Sequence, residues 1–287
     1  MDFPDTLSVI LRGASFIALF QAAGTAIFLA LFGHSLQSSS GALRRITRVA
    51  AIAGVVTVAG QLLLQAARMA DDMSGIVDPA LQAMTLGSAD GATAAMRILG
   101  LTVIAIAIGR RDQAAMALCL AGAIAVTASF VLSGHTASTP LRWLKAPLLF
   151  THVTVVAFWF GALLPLHIAS TRETPRTAAK VTQAFSIIAG WWVPVILAAG
   201  LCLALILIRH AADLGRAYGF LLVGKLIGFC VLMALAATNK YRLVPAIACG
   251  DENAARSFRV MLKVEYALIS IVLSITAVLT TFFSPER

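Results

Sequence analysis

Long apolar stretches separated by short polar segments run the whole length of the chain. A bilayer-crossing helix needs about 20 mostly apolar residues. Eight stretches approach or exceed that length: Leu7–Phe32, Ile46–Ala67, Thr93–Ile108, Ala114–Ser133, Pro147–Ile168, Val181–Ile208, Tyr218–Thr238 and Val260–Phe283. The third is short, and is expected to be extended by its neighbours or buried among the others. Breakers fill the connections: Ser38-Ser39-Ser40-Gly41, Gly109-Arg110-Arg111-Asp112 and the polar run from Thr171 to Arg176. No hydrophilic segment is long enough for a second folded unit. The pattern therefore predicts an all-α polytopic membrane bundle of eight transmembrane helices, with residues 1–287 forming one integral membrane domain.

Composition narrows the class further. Of 287 residues 60% are hydrophobic and only 12% charged, with a mean hydropathy of +0.90. Soluble domains carry roughly a quarter charged residues, so a water-facing surface cannot be built from this chain, and a disordered chain needs the opposite bias. The net charge of +9 would suggest nucleic acid in a soluble protein. Here it follows from topology, because Lys and Arg concentrate in cytoplasmic loops. With the N-terminus outside, thirteen bases fall in inner loops and seven, Arg97 among them, in outer segments. Both termini are thus expected to be periplasmic, with the lipid bilayer as the partner and no nucleic acid. Asp2 and Asp5 precede the first span without any base, unlike a signal peptide. The four cysteines are scattered and form no Cys-x-x-Cys, so neither a disulfide framework nor a thiolate site is expected.

Ionisable groups inside spans are costly and therefore suggest function. Arg12 lies in the outer part of the first span. Lys225 lies about 10 Å below the outer end of the seventh, at 1.5 Å per residue. Neither has a carboxylate at its depth, so each either snorkels to the headgroups or faces a buried anion such as a haem propionate or a lipid phosphate. Glu265 reads as an interfacial partner of Lys263 near the inner end of the last span. His135 closes the fourth span and His152 opens the fifth, so a short outer loop can bring two imidazoles together as neutral metal ligands. His167 and His34 end their spans on the inner side. At 100° per residue, His152, Trp159 and His167 fall within an arc of about 80° on one helix. Pro165 frees the carbonyl of Gly161, and Pro194 that of Gly190. Met73, with Met69 and Met84, flanks an outer loop that also holds Asp71, a candidate accessory site because thioethers suit Cu(I).

Ser133-Gly134-His135, His152 followed by Trp159-Phe160-Gly161-Ala162-Leu163-Leu164-Pro165-Leu166, and Lys225 followed by Asn239-Lys240-Tyr241-Arg242-Leu243-Val244-Pro245 occur in this order. Together they resemble the copper resistance protein D family of bacterial inner-membrane proteins, the motifs lying mainly in 114–283. Two departures are conservative: Gly161-Ala162 where the family has Gly-Gly, and Gly134-His135-Thr136 where it has Gly-His-Ala. The resemblance implies copper handling at the bacterial inner membrane, uptake from a periplasmic chaperone, His135 and His152 as ligands, and Trp159, Lys225 and Asn239 as motif residues of unassigned role.

Two functions follow. In the first, a transporter captures a copper ion at His135 and His152, aided by Met73 or Asp71, and passes it toward His167. No catalytic residue is expected in that case. In the second, a b-type cytochrome binds haem b through histidine pairs near each surface, with Arg12 and Lys225 meeting the propionates, and the chain is an oxidoreductase. A scaffold without chemistry of its own predicts neither. The family resemblance favours copper. The oligomeric state, the copper oxidation state and the direction of transport stay open at this stage.

Overall fold

A computed structural model describes residues 3–132, 141–207 and 217–282. The described residues form ten helices: α1 (Phe3–Phe32), α2 (Ser40–Ala70), α3 (Pro79–Leu86), α4 (Ala89–Ala107), α5 (Gln113–Ala128), α6 (Arg142–Arg172), α7 (Pro175–Leu207), α8 (Ala217–Thr238), α9 (Val244–Ala248) and α10 (Glu252–Phe282). Eight helical segments are long and apolar enough to cross a membrane. Each overlaps one of the eight predicted spans, the seventh running from α8 through a π-helical turn, Asn239–Leu243, into α9. The chain is an all-α polytopic membrane bundle.

α1 is the hub. Its apolar window is 72% buried, against 11% for those of α7 and the α8–α9 span, and it packs on α2, α4, α5, α6 and α10. Small residues permit this, because Ala18, Ala22, Ala23, Gly24 and Ala26 let neighbouring backbones close in. The tightest crossing is with α6. A Cβ on Gly161 would lie 2.5 Å from the Gly24 Cα, and one on Gly24 would collide with the Ala157 carbonyl. At this crossing the Gly161 carbonyl, deprived of its helical donor by Pro165, accepts a hydrogen bond from the Thr25 hydroxyl at 2.9 Å and another from Gln21 Nε2 at 3.3 Å. The carbonyl freed by proline is thus satisfied from the neighbouring helix.

Basic residues in the first turns of α2 also have structural work. Arg44 Nη1 donates to the Ile108 carbonyl at 2.7 Å and Arg48 Nε to that of Ala105 at 3.1 Å. Both meet the C-terminal end of α4, where free carbonyls favour cations. The loop after α2 contains α3, capped by Asp78 through the Ala80 N–H at 2.8 Å. α1 begins and α10 ends on one face, joined where Arg12 Nη1 donates to the Thr280 carbonyl at 2.9 Å. We call this the terminal face.

Candidate functional site

A cavity of about 730 Å³ lies among α1, α2, α4, α6, α7, α8 and α10. That size falls within the range of small-molecule sites, about 300–1,000 Å³. It extends from Arg68 and Asp90 at the terminal face down to Trp159. Its walls are mostly apolar, with Phe16, Phe20 and Phe130 on one side and the Phe20 and Phe130 rings 5.4 Å apart.

Five basic side chains line this cavity, Arg12, Arg68, Arg97, Lys145 and Lys225, and Asp90 is the acid among its described lining residues. Arg68 is paired with Asp5 at 2.9 Å. Asp90 receives the Gln65 amide at 2.9 Å. Arg97 donates to Ser129 Oγ at 3.0 Å, and its guanidinium stands 4.3 Å from the centre of the Phe130 ring. Among the described residues, neither Arg12, Arg97 nor Lys225 makes an ion pair. Counted along their helices, Arg12, Arg97, Lys225 and His152 each sit about 12–15 Å from the terminal-face end, so they share a level. Arg97, assigned by the sequence to an outer segment, instead projects from within α4 into the cavity. Its place inside the apolar run Thr93–Ile108 was the available signal.

His152 stands in the same wall. Its Nδ1 is 3.3 Å from the Ile196 carbonyl. A carbonyl only accepts, so the neutral ring carries its proton on Nδ1 and keeps the Nε2 lone pair for a ligand. Gly200 leaves room for the ring, since a Cβ there would lie 3.2 Å from His152 Cε1. His135 lies outside the described residues, and with it the expected pairing. His167 is 15 positions further along α6, about 22 Å away at helical rise, so His152 and His167 cannot share one ion. The His167 Nδ1 is buried without a hydrogen-bond partner. His34 sits in the short 3-10 turn Gly33–Ser35 after α1. Asp71 and Met73 lie exposed in the loop at the terminal face and do not line the cavity. Among the described residues no three His, Cys, Asp or Glu side chains cluster as a metal site.

Glu265 requires a correction. It is not an interfacial partner of Lys263: it is 2% exposed, the only buried acid among the described residues. The last helix starts at Glu252, well before the predicted Val260, because Arg256, Arg259 and Lys263 ride on helix that continues beyond the apolar run. Glu265 therefore stands about 20 Å from the helix start, at mid-depth. Its carboxylate accepts a short hydrogen bond from Asn239 Nδ2, and the Trp159 side chain lies within reach of it. Asn239 leads the π-helical turn, and its Oδ1 is buried without a partner. Such turns accompany functional sites. Trp159 thus forms the cavity floor and touches a buried carboxylate on the far side. Two motif residues without an assigned role, Trp159 and Asn239, meet on Glu265, which the sequence pattern had placed elsewhere.

Two family models match this chain: the N-terminal domain of copper resistance protein D-like proteins over residues 3–143, and copper resistance protein D over residues 179–279. The chain belongs to the copper resistance protein D family. The two matches leave out residues 144–178, which carry His152 and Trp159, but include Arg12, Arg97, Lys225, Asn239 and Glu265. Among curated proteins, the chain is similar to "Inner membrane protein YebZ" of Escherichia coli (strain K12), with 32% identity over 133 residues, 45% of this chain and 46% of that protein. The match thus spans less than half of that relative. It is also similar to "Copper resistance protein D" of Pseudomonas syringae pv. tomato, with 26% identity over 311 residues and 98% of each chain. No solved structure gives a significant match.

Proposed function

We propose that this protein moves copper across the bacterial cytoplasmic membrane, taking it up from a periplasmic donor. The observation that carries the reading is a line of ligand-type groups running inward from the terminal face. His152 offers its Nε2 in the cavity wall, Trp159 presents an indole at the floor, and Glu265 waits behind it. Imidazole binds copper while neutral, an indole face attracts cations, and a carboxylate without a cationic partner accepts one. His167, with its unpartnered buried Nδ1, continues the line toward the opposite face. In this reading His135 completes the outer site with His152, and Asp71 and Met73 lie near its mouth without belonging to it. Pro165 and Pro194, inside α6 and α7, mark the places where these helices can bend to change access. The cytoplasmic membrane is the location that the family and the eight apolar helices support together.

Copper content measured in cells expressing equal amounts of wild type, His135→Ala, His152→Ala and Glu265→Gln tests this. Each variant is expected to accumulate less copper than wild type. Unchanged accumulation in all three overturns the route.

A further inference from the structure

We propose that the cavity under the terminal face is the binding site of an acidic amphiphile, a molecule with an apolar body and anionic carboxylate or phosphate groups. The inference does not depend on the copper reading. Arg12, Arg97 and Lys225 converge on one chamber within the membrane-spanning region, none with an ion pair among the described residues. One carboxylate, Asp90, lines the same chamber, and it is already engaged by Gln65. Charges held within membrane spans are kept where they meet an opposite charge. The groups that anchor the two arginines do not neutralise them: Arg12 is held by a backbone carbonyl and Arg97 by a hydroxyl and an aromatic face. They fix the cations in place and leave donor capacity free, because a guanidinium has five N–H groups and an ammonium three.

The shape agrees with the charge. Below the cation level the walls are apolar, and the 730 Å³ volume is far more than an inorganic anion fills. An acidic head at the level of Arg12, Arg97 and Lys225 places the body of the molecule against Phe16 and Phe130 and toward Trp159. Two sources have this chemistry, an anionic phospholipid and haem with its propionates. His152 lines the same chamber near the level of the cations, so haem has an axial nitrogen available, whereas a phospholipid makes no use of it.

The full-length protein, purified in a mild detergent, tests the site by native mass spectrometry and visible absorption. The expected result is a tightly retained adduct. A phospholipid mass identifies one source, and a Soret band lost in His152→Ala identifies the other. Protein stripped by stronger detergent is then titrated with phosphatidylglycerol, phosphatidylcholine or haemin while thermal unfolding is followed. Wild type is expected to gain more stability from phosphatidylglycerol or haemin than from phosphatidylcholine. The gain should fall in Lys225→Met and in Arg97→Gln, and return in Lys225→Arg. The thermal transition of each stripped variant reports whether it is folded. No retained adduct with equal responses to all three probes, or an undiminished selective gain in both charge-removing variants, overturns the proposal.

Discussion

Thr25→Val tests whether the α1–α6 crossing is held by the carbonyl that Pro165 sets free. Valine matches threonine in shape, and Thr25 is fully buried, so the substitution removes the hydroxyl without opening a cavity. Two bonds are lost, the 2.9 Å contact from the Thr25 hydroxyl to the Gly161 carbonyl and the 2.7 Å contact from Gln21 Nε2 to that hydroxyl, while the longer Gln21 contact to the carbonyl at 3.3 Å remains. Interhelical hydrogen bonds in membranes average about 0.6 kcal/mol, with a maximum near 1.7. A short, dry bond to an acceptor without its helical donor belongs in the upper half of that range, so the expected loss is about 1 kcal/mol. Removing Gln21 as well, in Gln21→Leu/Thr25→Val, orphans the carbonyl and raises the loss to about 2–3 kcal/mol. The decisive comparison uses Pro165→Ala, which restores an N–H four residues after Gly161. In that background Thr25→Val should cost clearly less than in the wild type, because the carbonyl has regained a donor from its own helix and only the bond from Gln21 to the hydroxyl is still lost. Reversible unfolding in bicelles gives the four free energies of the cycle. Equal costs of Thr25→Val in the two backgrounds would refute the reasoning.

Gly200→Val should push the His152 ring out of its place, since even a Cβ at this position lies 3.2 Å from Cε1. Copper accumulation is expected to drop about 10-fold, the scale seen when a ligand's supporting contacts are lost, while Gly200→Ala loses less; wild-type accumulation in the valine variant would separate His152 from the route. Asp112 caps α5 through the Ala115 N–H at 2.8 Å and also accepts from Arg110. These bonds hold its carboxylate below the usual aspartate range, the Ala115 bond most of all. A group whose folded pKa is depressed stabilises above its unfolded pKa and loses that contribution as pH falls through the folded value. Asp112→Asn should therefore lower the thermal transition at pH 7, and the difference from wild type should shrink as the pH drops below 4; a gap that does not change with pH would contradict this.

The eight spans were legible because the bilayer requires long apolar runs whatever the tertiary packing. The freed Gly161 carbonyl was legible too, since Pro165 removes a specific donor from a specific acceptor. The donors were not, because Gln21 and Thr25 lie 140 and 136 positions away and nothing local marks them as facing α6. Glu265 was misplaced for a related reason. A hydropathy pattern ends where charges begin, whereas a helix continues for as long as its backbone hydrogen bonds do, so the carboxylate seemed shallower than it is. Arg97 was hidden by bookkeeping of charge by segment. Inside an apolar run it belongs with Arg12 and Lys225, and only the packing of α4 against the hub shows that all three share a chamber.

That chamber bears directly on how copper can use the same end of the molecule. At an effective dielectric of 20, a unit charge about 6 Å from another interacts by roughly 3 kcal/mol, so each nearby unpaired cation works against a bare copper ion at His152. An acidic amphiphile reverses the sign. Its anionic groups satisfy Arg12, Arg97 and Lys225, and the potential at His152 falls toward neutral without any change in the protein. The same outcome follows if copper arrives already bound by anionic ligands, with the cations holding those ligands as the metal passes to His152. In either case the cations belong to the uptake route by fixing negative charge beside it. The carboxylate of Glu265, shielded from them by the Trp159 ring, is then the first protein acid below the level of those cations on the way inward.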